Sequence, residues 1–412
     1  MYKNTFLENG LRIITEEDEH KNIVTLSYLI KAGCYDEDKD NLGIAHFVEH
    51  LLFKGTTTRS AKEISETIEC IGGILNAETS FQYTNYWCTV PCKSWKIGID
   101  VLSDMIWNNL IPIDEFEKEK QVIIEELKMY SDNGRNRSWE LLMEHMHESY
   151  INRQTLGGTI DSVSNITYEQ VIDFIDKYYT AQNIVVIATG NINHNDLVNY
   201  VNEYTADVEF ELSTVEEKDN KKFIPDKLGY EDIIEQKDIA QSHLSWGIFG
   251  PKADNHQSVV GTIISTLLAG NSSSRLYQLV RENMGLCYSI NASNIILNDI
   301  SFINGYVGLD KSNIKTVKEI IHNQLNELIV NPVGIIELNN TKEFIKGKNI
   351  ILNESTLNRC DYIASRIINK NEQSIEDYFK VIDSITPLDI QNYAKKFFRR
   401  DNICFTQIIP RY

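Results

Sequence analysis

The segment Gly43-Ile-Ala-His-Phe-Val-Glu-His-Leu-Leu-Phe-Lys-Gly55 sets two imidazoles and a carboxylate, at His46, Glu49 and His50, in an otherwise almost wholly apolar stretch. At about 100° per residue on a helix, all three fall on one narrow face. Isolated polar groups are costly inside a core, so their convergence asks for a shared partner. Two neutral imidazoles at i and i+4 can bind one zinc ion, with the glutamate between them beside a water at the metal. By composition, a chance His-x-x-Glu-His is expected in only on the order of one chain in a hundred, so the pattern itself carries information.

A catalytic zinc needs a third protein ligand and one open position. Candidates lie on the helix opened by Pro112-Ile113-Asp114, where Asp114 and Glu117 form a pair resembling a capping box. Further along it, Glu119 and Glu126 share a face with Val122 and Ile123. A charge run on a helix is usually a solvated face, but two carboxylates on an apolar stripe invite a different reading. His145 and His147 point about 200° apart on their predicted helix and cannot serve one metal there, which makes them surface residues. Cys88 and Cys92 have no second pair with which to complete a zinc site.

The elements that must position these groups follow from periodicity. The metal helix is expected over 43–54, with Asn41 as its N-cap and Gly55 as its stop. Around it the pattern predicts a hairpin turning at Asn9-Gly10, strands at 11–17, 22–32, 73–79 and 83–90, and helices at 61–71, 94–109, 114–132, 136–150 and 167–179. An apolar run at 183–188 follows. After residue 230 a similar order returns: a strand at 239–249, helices at 256–269 and 274–283, strands at 287–296 and 300–308, helices at 312–330, 334–353, 355–369 and 386–397, and a last strand at 402–409. This is the signature of an internal duplication. Leu267-Leu268 after Thr262-Ile-Ile-Ser-Thr266 stands where Leu51-Leu52 follows the histidine motif, so the second copy lacks both histidines and the glutamate. The expected domains are 1–210 and 230–412, joined by a charged linker at 211–229.

The 412 residues suit two domains, and 42% hydrophobic with 24% charged residues is an ordinary globular composition. A balance of 40 Lys+Arg against 59 Asp+Glu, net −19, with no basic cluster, argues against nucleic acid and anionic lipid. An acidic cleft would favour neutral to basic substrates. No apolar run reaches the roughly 18 residues of a membrane span. Seven scattered cysteines and a chain that starts directly with a hairpin predict reduced thiols and a cytoplasmic protein.

Taken together, these residues resemble the pitrilysin/insulysin superfamily of inverted-motif zinc peptidases, in particular the two-domain branch of the mitochondrial processing peptidase beta subunit and its bacterial homologues. The resemblance runs through Leu7-Glu-Asn-Gly-Leu-Arg12, Phe53-Lys-Gly-Thr56, Gly72-Gly73-Ile-Leu-Asn-Ala77-x-Thr79, Thr84-x-Tyr86, Phe116-Glu-Lys-Glu-Lys-Gln-Val-Ile and Thr189-Gly190-Asn-Ile, and covers essentially the whole chain. It implies an α+β fold of two similar domains, each a mainly antiparallel sheet covered by helices on one face.

The resemblance further implies one zinc per chain, with the third ligand 76 residues after the second histidine; 126 − 50 = 76 identifies Glu126. Glu49 is then the catalytic base and Glu119 a supporting carboxylate. Asn76 and Ala77 are implied to contact substrate on an edge strand, to which an extended peptide adds through its backbone. Ser274-Arg-Leu-Tyr-Gln-Leu-Val-Arg281-Glu-Asn-Met-Gly285-Leu-Cys-Tyr288 is similar to the segment whose arginine and tyrosine, seven apart, reach substrate across a chamber. Similar proteins pair, so a homodimer acting on short or unfolded peptides is expected. The alternatives are a peptidase dedicated to one precursor and a non-catalytic assembly subunit, and the intact His46, Glu49, His50 and Glu126 set argues against the second.

Overall fold

A computed structural model describes residues 2–146, 156–205, 231–251, 255–297, 301–371 and 373–411. The expected linker at 211–229 and His147 lie outside them. In the first half, β1 (Lys3–Phe6) and β2 (Arg12–Glu17) form the hairpin expected at Asn9-Gly10, where Gly10 has a φ of 89°. With β3 (Ile23–Ile30), β4 (Ile74–Thr79), β5 (Thr84–Pro91) and β6 (Ile184–Gly190) they make a six-stranded sheet of order β1-β2-β6-β3-β5-β4. Only β2 and β6 pair in parallel. The second half builds a five-stranded sheet from β7 (Glu231–Lys237), β8 (Ser242–Phe249), β9 (Cys287–Ile296), β10 (Ser301–Leu309) and β11 (Ile403–Pro410), of order β7-β11-β8-β10-β9. Its one parallel pair is β7 with β11. The β4 and β9 strands are edges.

The helices of the first half are α1 (Ile44–Leu51), α2 (Ala61–Glu69), α3 (Trp95–Trp107), α4 (Ile113–Asp132), α5 (Gly134–Met146), α6 (Ile160–Asn165), α7 (Tyr168–Tyr178) and α8 (His194–Thr205). Those of the second are α9 (Asn255–Ala269), α10 (Ile314–Val330), α11 (Ile335–Leu352), α12 (Thr356–Ile368), α13 (Ile375–Ser384) and α14 (Pro387–Phe397). Phe47, Leu51, Ile64 and Leu102 from α1, α2 and α3 pack with Leu26, Tyr28 and Tyr86 of the first sheet in one core. None of the described helices is long and apolar enough to cross a membrane.

The chain divides into two compact units that interleave in sequence. One comprises Met1–Leu127, Gln154–Asp219 and Leu352–Glu372; the other comprises Lys128–Arg153, Asn220–Ile351 and Gln373–Tyr412. Relative to a division at the linker, each unit takes one helix from the opposite half. In the first unit, α12 lays Cys360, Ile363, Ala364 and Ile368 on Ile14, Leu29, Val185 and Ile187, which line the sheet face away from α1. This second covered face is why β6 is buried at every position and reads as an unbroken apolar run. In the second unit, α5 lies on β8 and β11, and any Cβ on Gly247 would collide with Met146 Sδ at 2.2 Å.

Matching hydroxyl contacts pin the two exchanged helices. Thr25 Oγ1 on β3 meets Thr356 Oγ1 at 2.8 Å, and Thr189 Oγ1 on β6 donates to the Thr356 carbonyl at 2.6 Å. At the equivalent strand positions of the second unit, Ser245 Oγ meets Ser138 Oγ at 2.9 Å and Thr406 Oγ1 donates to the Ser138 carbonyl at 2.7 Å. The duplication therefore extends to buried polar contacts.

Candidate metal and catalytic site

The histidine helix α1 begins at Gly43, whose φ of 92° suits glycine, and no side chain of its own N-terminus caps it. The expectation of Asn41 as N-cap is corrected: Asn41 Oδ1 accepts from the Asp38 N–H instead. The start of α1 is held by a residue outside it. Glu37, 3% exposed, accepts from the N–H groups of Gly43 at 2.8 Å and Ala45 at 3.0 Å, satisfying donors that a helix N-terminus leaves free. A Cβ on Gly43 would lie 2.4 Å from the Gly157 carbonyl, and one on Gly157 would lie 3.3 Å from His46 Nδ1. Two glycines thus allow this segment to close on the imidazole.

Helix α4 is brought alongside by Phe47 and Phe116, whose rings stack at 5.1 Å. It starts at Ile113, so Asp114 lies within its first turn, where a negative charge favours the helix dipole, and not at the cap. Of the two apolar residues expected to share the carboxylate face, Ile123 is buried and Val122 is 51% exposed. Glu119, at 5% exposed, is no solvated-face residue. The charge run on α4 masks a face that turns inward at Phe116, Glu119 and Ile123.

His46, His50 and Glu126 each offer one ligand atom, all within 4.8 Å of one another, and are the one such group of metal-binding side chains among the described residues. His46 Nε2 and His50 Nε2 are 3.2 Å apart, and Glu126 Oε2 lies 3.4 Å from the second and 4.0 Å from the first. Ligand bonds of about 2.0–2.1 Å at a tetrahedral ion put neighbouring donor atoms about 3.4 Å apart, so this donor set fits zinc. Burial, with His50 close by, pulls the His46 pKa down to about 4, which keeps its imidazole neutral and able to donate a lone pair.

Two further carboxylates complete the constellation. Glu119 Oε1 accepts from His50 Nδ1 at 2.8 Å, and its Oε2 is 2.6 Å from Lys54 Nζ. Burial alone would raise the Glu119 pKa, but hydrogen bonds from His50 and Lys54 outweigh it and hold it below the ordinary range. Glu49 takes no part in the three-atom cluster. Its Oε2 accepts from Thr79 Oγ1 on β4 at 2.5 Å, and burial raises its pKa despite that bond.

A half-buried trio of two histidines on α1 and a glutamate on α4, with an independent carboxylate on the histidine helix, is one of two observations that place the protein among known ones; its sequence relatives are the other. A zinc protease of Rickettsia felis, uncharacterised by name, is 30% identical over 406 residues, covering 95% of this chain and 94% of its own. The chain belongs to peptidase family M16. Residues 12–161 match the description "Insulinase (Peptidase family M16)" and residues 165–343 match "Peptidase M16 inactive domain". An uncharacterised zinc protease of Bacillus subtilis is 28% identical over 97% of both chains. The M16 fold is likewise that of a protease from Helicobacter pylori, with a TM-score of 0.93 and 21% identity over 100% of this chain and 99% of that one.

The second M16 unit carries Thr262–Thr266 on α9, with no metal-binding trio among its described residues. In it Arg281, on a π-helical turn (Tyr277–Asn283), stacks on Tyr277 at 4.8 Å and on Tyr288 at 5.6 Å. Tyr288, on edge strand β9, is 79% exposed. Asn76 and Ala77 lie on the edge strand β4 of the first unit, three and two residues before Thr79. His145 Nδ1 bonds the Leu141 carbonyl within its own helix. None of the seven cysteines forms a disulfide, and Cys88 is buried. Sequence reasoning missed the roles of Glu37, Lys54, Thr79 and Gly157. Lys54 and Thr79 sat inside recognised segments with no role of their own, while nothing local marks Glu37, whose partners are six and eight residues away.

Proposed function

We propose that the protein is a zinc-dependent endopeptidase hydrolysing short or unfolded peptides bound in extended form. The observation that carries this reading is the separation of roles on one helix: His46 and His50 converge with Glu126, while Glu49 is turned aside and held by Thr79. Zinc bound by His46, His50 and Glu126 would supply Lewis acidity, activating a water and polarising the scissile carbonyl. Glu49 then takes the proton of the attacking water and returns it to the leaving amine, and its raised pKa suits both tasks. Thr79 keeps that carboxylate aimed. Glu119 fixes the His50 ring through Nδ1, as outer partners of metal-bound histidines do.

Edge strand β4 is the natural seat for an added substrate strand. There the Ala77 N–H already donates to Asn76 Oδ1 at 2.9 Å, so a bound peptide must displace that side chain or use its amide. Arg281 and Tyr288 would act on a substrate held by a second chain of a homodimer, with Tyr288 donating to the developing oxyanion. A dedicated precursor is the second reading, favoured by the resemblance to processing peptidases; the complete set of catalytic groups disfavours a purely structural subunit.

The test is metal analysis combined with digestion of a mixed peptide library read by mass spectrometry. About one zinc per chain, chelator-sensitive cleavage, and a Glu49→Gln variant that keeps the metal but not the cleavage are expected. Cleavage by metal-free protein would refute the reading, and loss of zinc from Glu49→Gln would make Glu49 a ligand. Cleavage confined to one member of the library would favour the dedicated enzyme.

A further inference from the structure

Lys54 closes the 3₁₀ turn (Leu52–Lys54) that continues α1, four residues beyond His50. Its ammonium meets Glu119 Oε2 at 2.6 Å, while the other oxygen of the same carboxylate accepts from His50 Nδ1 at 2.8 Å. The Glu119 side chain is 7% exposed and that of Lys54 26%, so the ion pair is formed largely out of water. A neutral imidazole carries one proton. With that proton on Nδ1, the lone pair is on Nε2, which faces His46 Nε2 and Glu126 Oε2.

A buried carboxylate that loses its cation is strongly disfavoured in that place and turns away toward other partners. That rotation would free His50 to carry its proton on Nε2, where a metal cannot bind. Resting on the zinc reading above, we infer that Lys54 is a positioning residue of the metal site: by anchoring Oε2 of Glu119 it keeps Oε1 as the acceptor that commits His50 Nε2 to the metal. Lysine provides a compact point charge at the end of a long stem, so it can reach Glu119 from the helix end without entering the site. The effect is transmitted through two contacts, and Lys54 touches no ligand itself.

The experiment compares zinc affinity, by competition with a chromogenic chelator, in the parent, Lys54→Met, Lys54→Gln, Lys54→Arg, Glu119→Gln and the Lys54→Met/Glu119→Gln double variant. In parallel, the His50 tautomer is read in metal-free protein by long-range ¹H–¹⁵N correlation. The expected result is about tenfold weaker zinc binding in Lys54→Met and Lys54→Gln, a smaller change in Lys54→Arg, and loss of the pure Nδ1–H form of His50. The double variant should bind no more weakly than Glu119→Gln, because Lys54 works only through that carboxylate. Parental affinity and tautomer in both Lys54→Met and Lys54→Gln would overturn the inference. So would additive losses in the double variant. If Lys54→Met fails to fold, Lys54→Gln decides between the same two outcomes. A parent that binds no zinc at all would instead refute the underlying reading, and the tautomer would still report on the link between Lys54 and His50.

Discussion

Asp361 on α12 shows how one half-buried charge is tolerated. Burial, and secondarily the charge of Glu78, push its pKa up to about 6. A carboxyl whose folded pKa lies above its unfolded value binds more protons in the native state, so its contribution is full below about pH 4 and is lost as pH rises to about 6. Asp361→Asn should therefore be more stable than the parent at pH 7.5, with a gap that narrows toward pH 5. Urea midpoints at the two pH values check this; a variant less stable than the parent at pH 7.5 would show that the ionised carboxylate has a stabilising partner.

Helix α1 illustrates how an element with little intrinsic stability is held in place. Eight residues are too few to persist alone, and its start depends on the two hydrogen bonds accepted by Glu37. Replacing Glu37 by Leu leaves two backbone donors unsatisfied in a buried site and should cost roughly 2–4 kcal/mol. Glu37→Gln keeps one acceptor and should cost about half as much. Denaturant unfolding measures both, and equal stability of the Leu variant and the parent would mean that other groups cap the helix. The same element carries a steric condition: Gly157→Ala presses a Cβ toward His46 Nδ1 and Leu127 Cδ2, the latter at 3.1 Å. Weaker zinc binding with nearly unchanged unfolding is expected, and chelator competition set beside a melting curve separates the two effects.

For the whole molecule, the exchange of α5 and α12 makes each unit depend on the opposite half of the chain. A fragment of residues 1–210 would lack α12 and leave Ile14, Leu29, Val185 and Ile187 uncovered, and one of residues 230–412 would lack α5. Each fragment alone should fail to unfold cooperatively, and coexpression should restore a single transition. A cooperative melt of fragment 1–210 at the parental temperature would contradict this. The proposed homodimer has its own test. A His50→Ala chain mixed with an Arg281→Ala/Tyr288→Phe chain, each nearly inactive alone, should regain about a quarter of parental activity, since half of randomly paired dimers are mixed and each has one intact site of two. No recovery after verified subunit exchange would place each site within its own chain.

What the sequence determined by itself is whatever depends on short-range periodicity. The spacing of His46, Glu49 and His50 follows from the helical repeat; the strands over β3 and β5 follow from alternation, and the duplication from recurrence of the same order. Glu126 came from a family spacing, because no local rule relates residues on separate helices. Among the elements left unread, α6 and α13 are short, α8 buries only a few apolar side chains such as Leu197 and Val201, and β7 directly follows the segment read as a charged linker. Tertiary structure alone decided which charges are buried, because burial depends on neighbours distant in sequence. Val122 turns outward while Glu119 stays inside once Phe116 stacks on Phe47, and Glu37 becomes a cap only when the chain returns to Gly43. It also decided which sheet each helix covers: α12 has the same amphipathic face wherever it lies, and its place is selected by the hydroxyls of Thr25 and Thr189, the Glu16 carboxylate that pairs with Arg359, and the apolar face of β2, β3 and β6.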